Sequence, residues 1–197
     1  MKRLSQNNTN LPDLDVKEFE QRWNKELMYI DWGRYKEMAK YFKGGKFLDI
    51  GVFNSPLIIE LKKKFQNSEF IGLDHCELVL KELQARHPEV KYIVGDAMEL
   101  PFKDEHFDYV VAGELIEHMD SPPAFIKEAM RVLKPGGVLS ISTPKDEGVT
   151  QGRVSEEHLW SFSEQDINNL LKPYGRLEVS TMRISLTEQF VVLCHKN

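Results

Sequence analysis

The sequence predicts an α/β protein: a seven-stranded, mostly parallel sheet with an antiparallel last strand and helices on both faces. Three observations carry that expectation. From Lys46 onwards short apolar runs alternate with stretches of three- and four-residue periodicity, the pattern of strand–helix–strand units with right-handed crossovers. Glycine, proline or aspartate punctuates the switches between them. The last two apolar runs are joined by a polar turn too short for a parallel crossover, so they pair antiparallel.

The chain is organised around KFLDIGVFNSPL, residues 46–57. Phe47, Leu48 and Ile50 form a strand, Gly51 interrupts it, and Asn54, Ser55 and Pro56 signal a helix start, with Pro56 suited to the first helical position. Ahead of it, Phe19, Trp23, Leu27 and Ile30, and then Tyr35, Met38, Ala39 and Phe42, read as two short amphipathic helices that end at Gly44-Gly45. Their aromatic faces fit either packing on the core or a cap over an apolar ligand. One domain is therefore expected over residues 1–197, with residues 1–14 a flexible tail and residues 15–43 a helical N-terminal cap.

The first strand and its turn lead into a helix from Pro56 to Phe65 and a second strand, Phe70 to Leu73, that ends at Asp74. Cys76, Val79, Leu80 and Leu83 share one helical face before Pro88. A third strand runs from Val90 to Val94 and a fourth from Phe107 to Ala112. Ser121 caps a helix opened by Pro122 and Pro123 and stopped by Pro135-Gly136-Gly137, and Val138 to Thr143 form the fifth strand. Lys145 to Glu157 shows no apolar periodicity and is expected to be a mobile rim. Ser163 with Asp166 matches a capping box, and Leu177 to Ile184 and Phe190 to Cys194 supply the last two strands.

At 197 residues the chain has room for a sizeable core. A formal charge of -5 argues against DNA or RNA as a partner, because non-specific binding of nucleic acid depends on Lys and Arg. No apolar run approaches the ~20 residues that span a bilayer, and the N-terminus lacks the apolar core of a secretory signal, so no membrane partner is expected. Cys76 and Cys194 are isolated, which fits buried thiols in a reducing, cytoplasmic setting and gives no structural zinc site.

The chemistry lies at the carboxyl ends of the first three strands, where Asp49, Asp74 and Asp96 fall. In open α/β sheets ligands bind at that edge, and a carboxylate ~20 residues after the glycine turn is placed to accept hydrogen bonds from ribose hydroxyls. The pyrophosphate fingerprint G-x-G-x-x-G is absent, since Gly51 is followed by Phe53 and Ser55, which disfavours a dinucleotide. S-adenosyl-L-methionine, a nucleoside with a cationic sulfonium and no phosphate, suits the acidic edge better.

The stretches FLDIGVFNSPL, FIGLDHC, GDAMELPFKDEHFDYVVAGELIEHM and EAMRVLKPGGVLSISTP resemble the class I S-adenosylmethionine-dependent methyltransferases, particularly the type 11 branch, whose fold is Rossmann-like. The resemblance implies that Asp49, Gly51 and Phe53 border the methionine part of the cofactor. It further implies that Asp74, with His75 beside it, holds the ribose, that Asp96, Ala97 and Met98 meet the adenine, and that Gly113 and Glu114 flank the sulfonium. Phe53 stands where the family pattern has a second glycine; a negative φ is expected to let it fit without strain.

The implied reaction is in-line methyl transfer to a small-molecule acceptor, with alignment supplying much of the acceleration and no metal required. His118, following Glu114 and Glu117, is the candidate catalytic base, and His158 and Trp160 are candidates for the acceptor side. Two other readings use the same residues: a protein or RNA methyltransferase, and a non-catalytic nucleoside-binding or interaction protein on the same fold.

Overall fold

The computed structural model describes residues 1–3, 31–53, 55–146, 158–184 and 187–197. Of the expected tail only residues 1–3 are described, with Lys2–Arg3 pairing antiparallel to Trp160–Ser161; the first of the two N-terminal helices and most of the expected rim lie outside the described residues. Seven strands form one sheet: β1 Lys46–Ile50, β2 Glu69–Asp74, β3 Lys91–Val94, β4 Phe107–Gly113, β5 Leu133–Pro144, β6 Gly175–Ile184 and β7 Thr187–Lys196. Their order is 3-2-1-4-5-7-6. The first five run parallel, and β7 is antiparallel to both neighbours, as the short β6–β7 turn requires. The order reverses direction beside β1, which puts a crevice at the carboxyl ends of β1 and β4.

Side chains alternate across β1, so the sheet divides the apolar residues into two layers. Leu48 and Ile50 join Phe107, Val110, Phe125, Ile126 and Ile167 beneath helices α4 (Pro122–Val132) and α5 (Glu164–Leu171). Phe47 faces the other way, with Phe70, Tyr109, Val79 and Leu83, beneath α1 (Trp32–Met38), α2 (Pro56–Lys64) and α3 (Glu77–Arg86). Asp49 alternates with Leu48 and Ile50 and therefore points to the α1–α3 side.

The second N-terminal helix is α1, and its stripe packs on the core. Met38 is fully buried, and the Phe42 ring meets Phe47, Phe65, Phe70 and Tyr109 edge-on with centroids 4.9–5.8 Å apart. Asp31 caps α1 by accepting from the N–H groups of Gly33 and Arg34 at 2.8 and 3.3 Å. Ser121 caps α4, and Ser163 and Asp166 form the expected capping box on α5. Both cysteines are buried and unpaired in a disulfide, and burial pushes the Cys194 thiol up to about 11.

Two expectations are corrected. Pro135-Gly136-Gly137 does not end at a new strand: β5 already begins at Leu133 and the motif bulges out within it, so that Leu133 pairs with Phe107 but Val138 with Tyr109. Phe53 does not keep a negative φ; it sits at +29°, in the region that favours glycine. The turn is compact enough to demand this, because the N–H groups of Gly51 and Val52 both reach the carbonyl of Leu73 on β2, at 2.8 and 3.1 Å.

Candidate active site

The β1–α2 turn gathers the first group of residues. Gly51 has φ +70°, and a Cβ there would meet Leu115 Cδ1 at 2.9 Å, so both its conformation and its surroundings call for glycine. Phe53 donates its backbone N–H to Asp74 Oδ2 at 3.1 Å, and Cys76 donates to Asp74 Oδ1 at 2.9 Å. The buried Asp74 carboxylate is thereby fixed by two turns that follow two different strands. Gly95 donates to the Asp74 carbonyl at 3.0 Å, which draws the next turn alongside. In that turn Met98 donates to Asp96 Oδ1 at 2.8 Å, with Asp96 exposed and Ala97 and Met98 half-buried against the core. His75 lies on the rim, its Nδ1 3.4 Å from Asp74 Oδ1.

Asp49 differs from its neighbours. It is only 2% exposed, Oδ2 has no hydrogen-bond partner among the described residues, and burial, reinforced by the nearby Asp74 charge against the Ser55 hydroxyl and the Arg34 charge, pushes its pKa up to about 7. Ser55 stands at the N-cap of α2 but does not cap it; its hydroxyl serves Asp49 and Tyr35 instead. The helix start therefore holds a polar side chain that is turned to the site.

From the other side, α1 delivers Arg34. Its guanidinium bonds Tyr35 Oη at 3.3 Å and Gln189 Oε1 at 3.4 Å, and pairs with Glu114 Oε1 at 3.4 Å. Its Nε is buried without a partner among the described residues. Burial works against this charge, but Glu114, Tyr35 and Asp31 outweigh it and hold the pKa above the ordinary arginine value. Glu114, at φ +53° just beyond β4, also accepts from Ser142 Oγ at 3.0 Å and Gln189 Nε2 at 2.7 Å. Gly113 has room for a Cβ, with Ser142 Oγ and Met38 Cε at 3.4 and 3.5 Å, so sterics do not require glycine there.

The structure thus links Asp74, Gly51, Phe53, Asp49 and Glu114 along one edge, with Asp96, Ala97 and Met98 tied in through Gly95. His118 stands in a second group with Glu117 and His158, on the turn Ile116–His118 after β4. Arg34, Tyr35, Ser55, Ser142 and Gln189 were not singled out as site residues from sequence. Only Tyr35, within an aromatic stripe, and Ser55, at a helix start, carried any signal, and in both cases it was a signal for structure.

Residues 48–141 match the family model of a methyltransferase domain. A probable S-adenosylmethionine-dependent methyltransferase of Mycolicibacterium smegmatis is 31% identical over 147 residues, 72% of this chain and 55% of that protein. A demethylmenaquinone methyltransferase of Staphylococcus aureus is 39% identical over 127 residues, 61% of this chain and 49% of that protein. A Thermotoga maritima structure described as an S-adenosylmethionine-dependent methyltransferase, possibly of histamine, superposes with a TM-score of 0.71 at 23% identity, covering 92% of this chain and 96% of that one; it supports the fold. The chain carries a class I S-adenosylmethionine-dependent methyltransferase domain of the type 11 branch. It spans about half the length of the two curated relatives named here.

Proposed function

We propose that the chain binds S-adenosyl-L-methionine and transfers its methyl group to a small-molecule acceptor. The observation that carries the reading is two buried polar atoms unpartnered among the described residues, Asp49 Oδ2 on β1 and Arg34 Nε on α1, of residues near enough for the arginine charge to act on the carboxylate. A buried polar group without a partner costs roughly 1–3 kcal/mol, so an unpartnered carboxylate oxygen and an unpartnered guanidinium N–H suit a zwitterion that satisfies both. The ammonium and carboxylate of a methionine moiety have that chemistry, and the residues present fit the cofactor.

When bound, the cofactor supplies a methyl group activated by the sulfonium charge. The protein's own residues orient it. Asp49 receives the ammonium, Arg34 the carboxylate and Asp74 the ribose hydroxyls, while Ala97 and Met98 offer apolar surface to the adenine and Asp96 an acceptor at its edge. Glu114 and Gly113 border the reacting end, and the negative charge of Glu114 favours a cation nearby. Such fixed alignment of two reactants accounts for several kcal/mol of a typical barrier. The relative that acts on demethylmenaquinone supports a small-molecule acceptor.

Calorimetric titration with S-adenosylhomocysteine tests the binding, and transfer of labelled methyl to a panel of quinols, phenols and amines tests the acceptor class. Saturable binding and a labelled small product are expected. A folded protein that binds neither cofactor nor product would overturn the reading in favour of an interaction protein, and label appearing only in protein or RNA would reassign the acceptor.

A further inference from the structure

We propose that Glu117, His118 and His158 form a binding site for a first-row divalent metal ion in the Mn2+ to Zn2+ range, at the acceptor side of the sheet edge. One ligand atom from each lies within 4.8 Å of the others. Two donors about 2.1 Å from a shared ion stand at most about 4.2 Å apart, so a small rotation of the side chains closes the set. The two imidazoles, with ring centres 4.8 Å apart and planes at 81°, meet edge-on rather than stacked.

The site is built by tertiary contacts that hold its two segments together. Leu159 donates its N–H to the Glu117 carbonyl at 2.8 Å, and Trp160 Nε1 donates to the Met119 carbonyl at 2.7 Å. These bonds fasten residues 159 and 160 to the turn after β4 and bring His158 to His118. Glu117 is fully buried, and Thr143 Oγ1 donates to its Oε2 at 3.0 Å, orienting the carboxylate as supporting hydrogen bonds do at metal centres. Glu117 is buried and both imidazoles are half-buried, so the three donors meet away from bulk solvent.

The donor set selects the ion and the ligand it takes. One carboxylate and two imidazoles match borderline first-row ions better than Mg2+ or Ca2+, which prefer oxygen donors. Three protein ligands leave further coordination positions for water or for an oxygen of the substrate. The use of the ion in catalysis rests on the methyltransferase reading, and it narrows the acceptor to a hydroxyl compound: a phenol or enol bound to the ion loses its proton to solvent nearer neutrality and presents the oxygen to the methyl group. In this arrangement His118 serves as a ligand in place of a solitary base.

Equilibrium dialysis of the full chain against MnCl2 or ZnCl2, followed by metal analysis, measures the binding without reference to methyl transfer. About one ion per chain is expected. His118→Ala and His158→Ala are each expected to weaken it more than ~100-fold, beyond the roughly 10–100-fold that loss of a supporting hydrogen bond costs, with S-adenosylhomocysteine affinity unchanged. In the unsubstituted protein, substoichiometric Mn2+ should broaden the imidazole proton signals of His118 and His158 before those of His75, His87, His106 and His195. Lack of uptake of either ion at millimolar concentration, uptake that survives the double histidine substitution, or broadening of the other histidines first would overturn the proposal. Loss of cofactor binding with metal binding intact would instead count against the methyltransferase reading alone.

Discussion

The two halves of the sheet's carboxyl edge satisfy their charges in different ways. On the β1–β3 side, Asp74 and Asp96 accept from backbone N–H groups of turns that follow them by only a few residues or lie on the neighbouring strand. On the β4–β7 side, Glu114 is held by Arg34, Ser142 and Gln189, and Glu117 by Thr143, all side chains from distant parts of the chain. Asp49 lies between these regimes. It is buried to a similar degree as Asp74, and its pKa rises to about 7. Burial drives that rise, and the Ser55 hydroxyl and the Arg34 charge act against it.

The largest expected effect comes from the backbone-satisfied half. Asp74→Ala removes a carboxylate that serves both ligand and fold, with each hydrogen bond to a charged group contributing about 1.5–3 kcal/mol. S-adenosylhomocysteine affinity should fall tenfold or more, and the melting temperature should fall with it because two turns lose their anchor. Calorimetry paired with thermal denaturation checks both, and unchanged affinity in a folded variant would remove Asp74 from the site.

Arg34→Ala probes the side-chain half. It should weaken S-adenosylhomocysteine binding about tenfold, roughly 1.4 kcal/mol, while leaving the affinity for 5′-methylthioadenosine, which has no amino-acid end, nearly unchanged. Equal losses for both ligands would make Arg34 a purely structural partner of Glu114.

Asp49 yields a pH prediction whose sign follows from its raised pKa. Between 3.8 and about 7 the folded protein holds a proton that the unfolded chain has released, so this group's contribution to stability declines as pH rises through that window. A ligand ammonium favours the ionised carboxylate, so S-adenosylhomocysteine should bind more tightly at pH 8 than at pH 6. Asp49→Asn should flatten that dependence, and a slope that persists in the variant would assign it to another group.

The smallest effect is expected at Phe53. Its ring packs in the α1–α3 layer and its φ is +29°. Phe53→Gly relieves the backbone but loses that packing and loosens the turn, so stability should change by less than about 1 kcal/mol and cofactor affinity should drop no more than about fivefold. A large gain in affinity would show that the ring obstructs the site.

The sequence by itself determined the sheet, the Ser121 and Ser163 caps and the acidic residues at the ends of the first three strands. Strand and helix periodicities, the Ser163–Asp166 box and the spacing of Asp49, Gly51 and Asp74 are local patterns, and backbone hydrogen bonding acts over a few residues or between adjacent strands. Tertiary structure alone decided the other half. Arg34 reaches Glu114 and Gln189 because α1 packs across the sheet, and His158 reaches His118 because Leu159 and Trp160 dock on the turn after β4. Forty residues separate the two histidines, and no local spacing encodes an encounter that depends on how two segments fold back onto the same sheet edge. The positive φ of Phe53 has the same origin, since two amides of its turn must converge on the carbonyl of Leu73, a constraint imposed by the neighbouring strand.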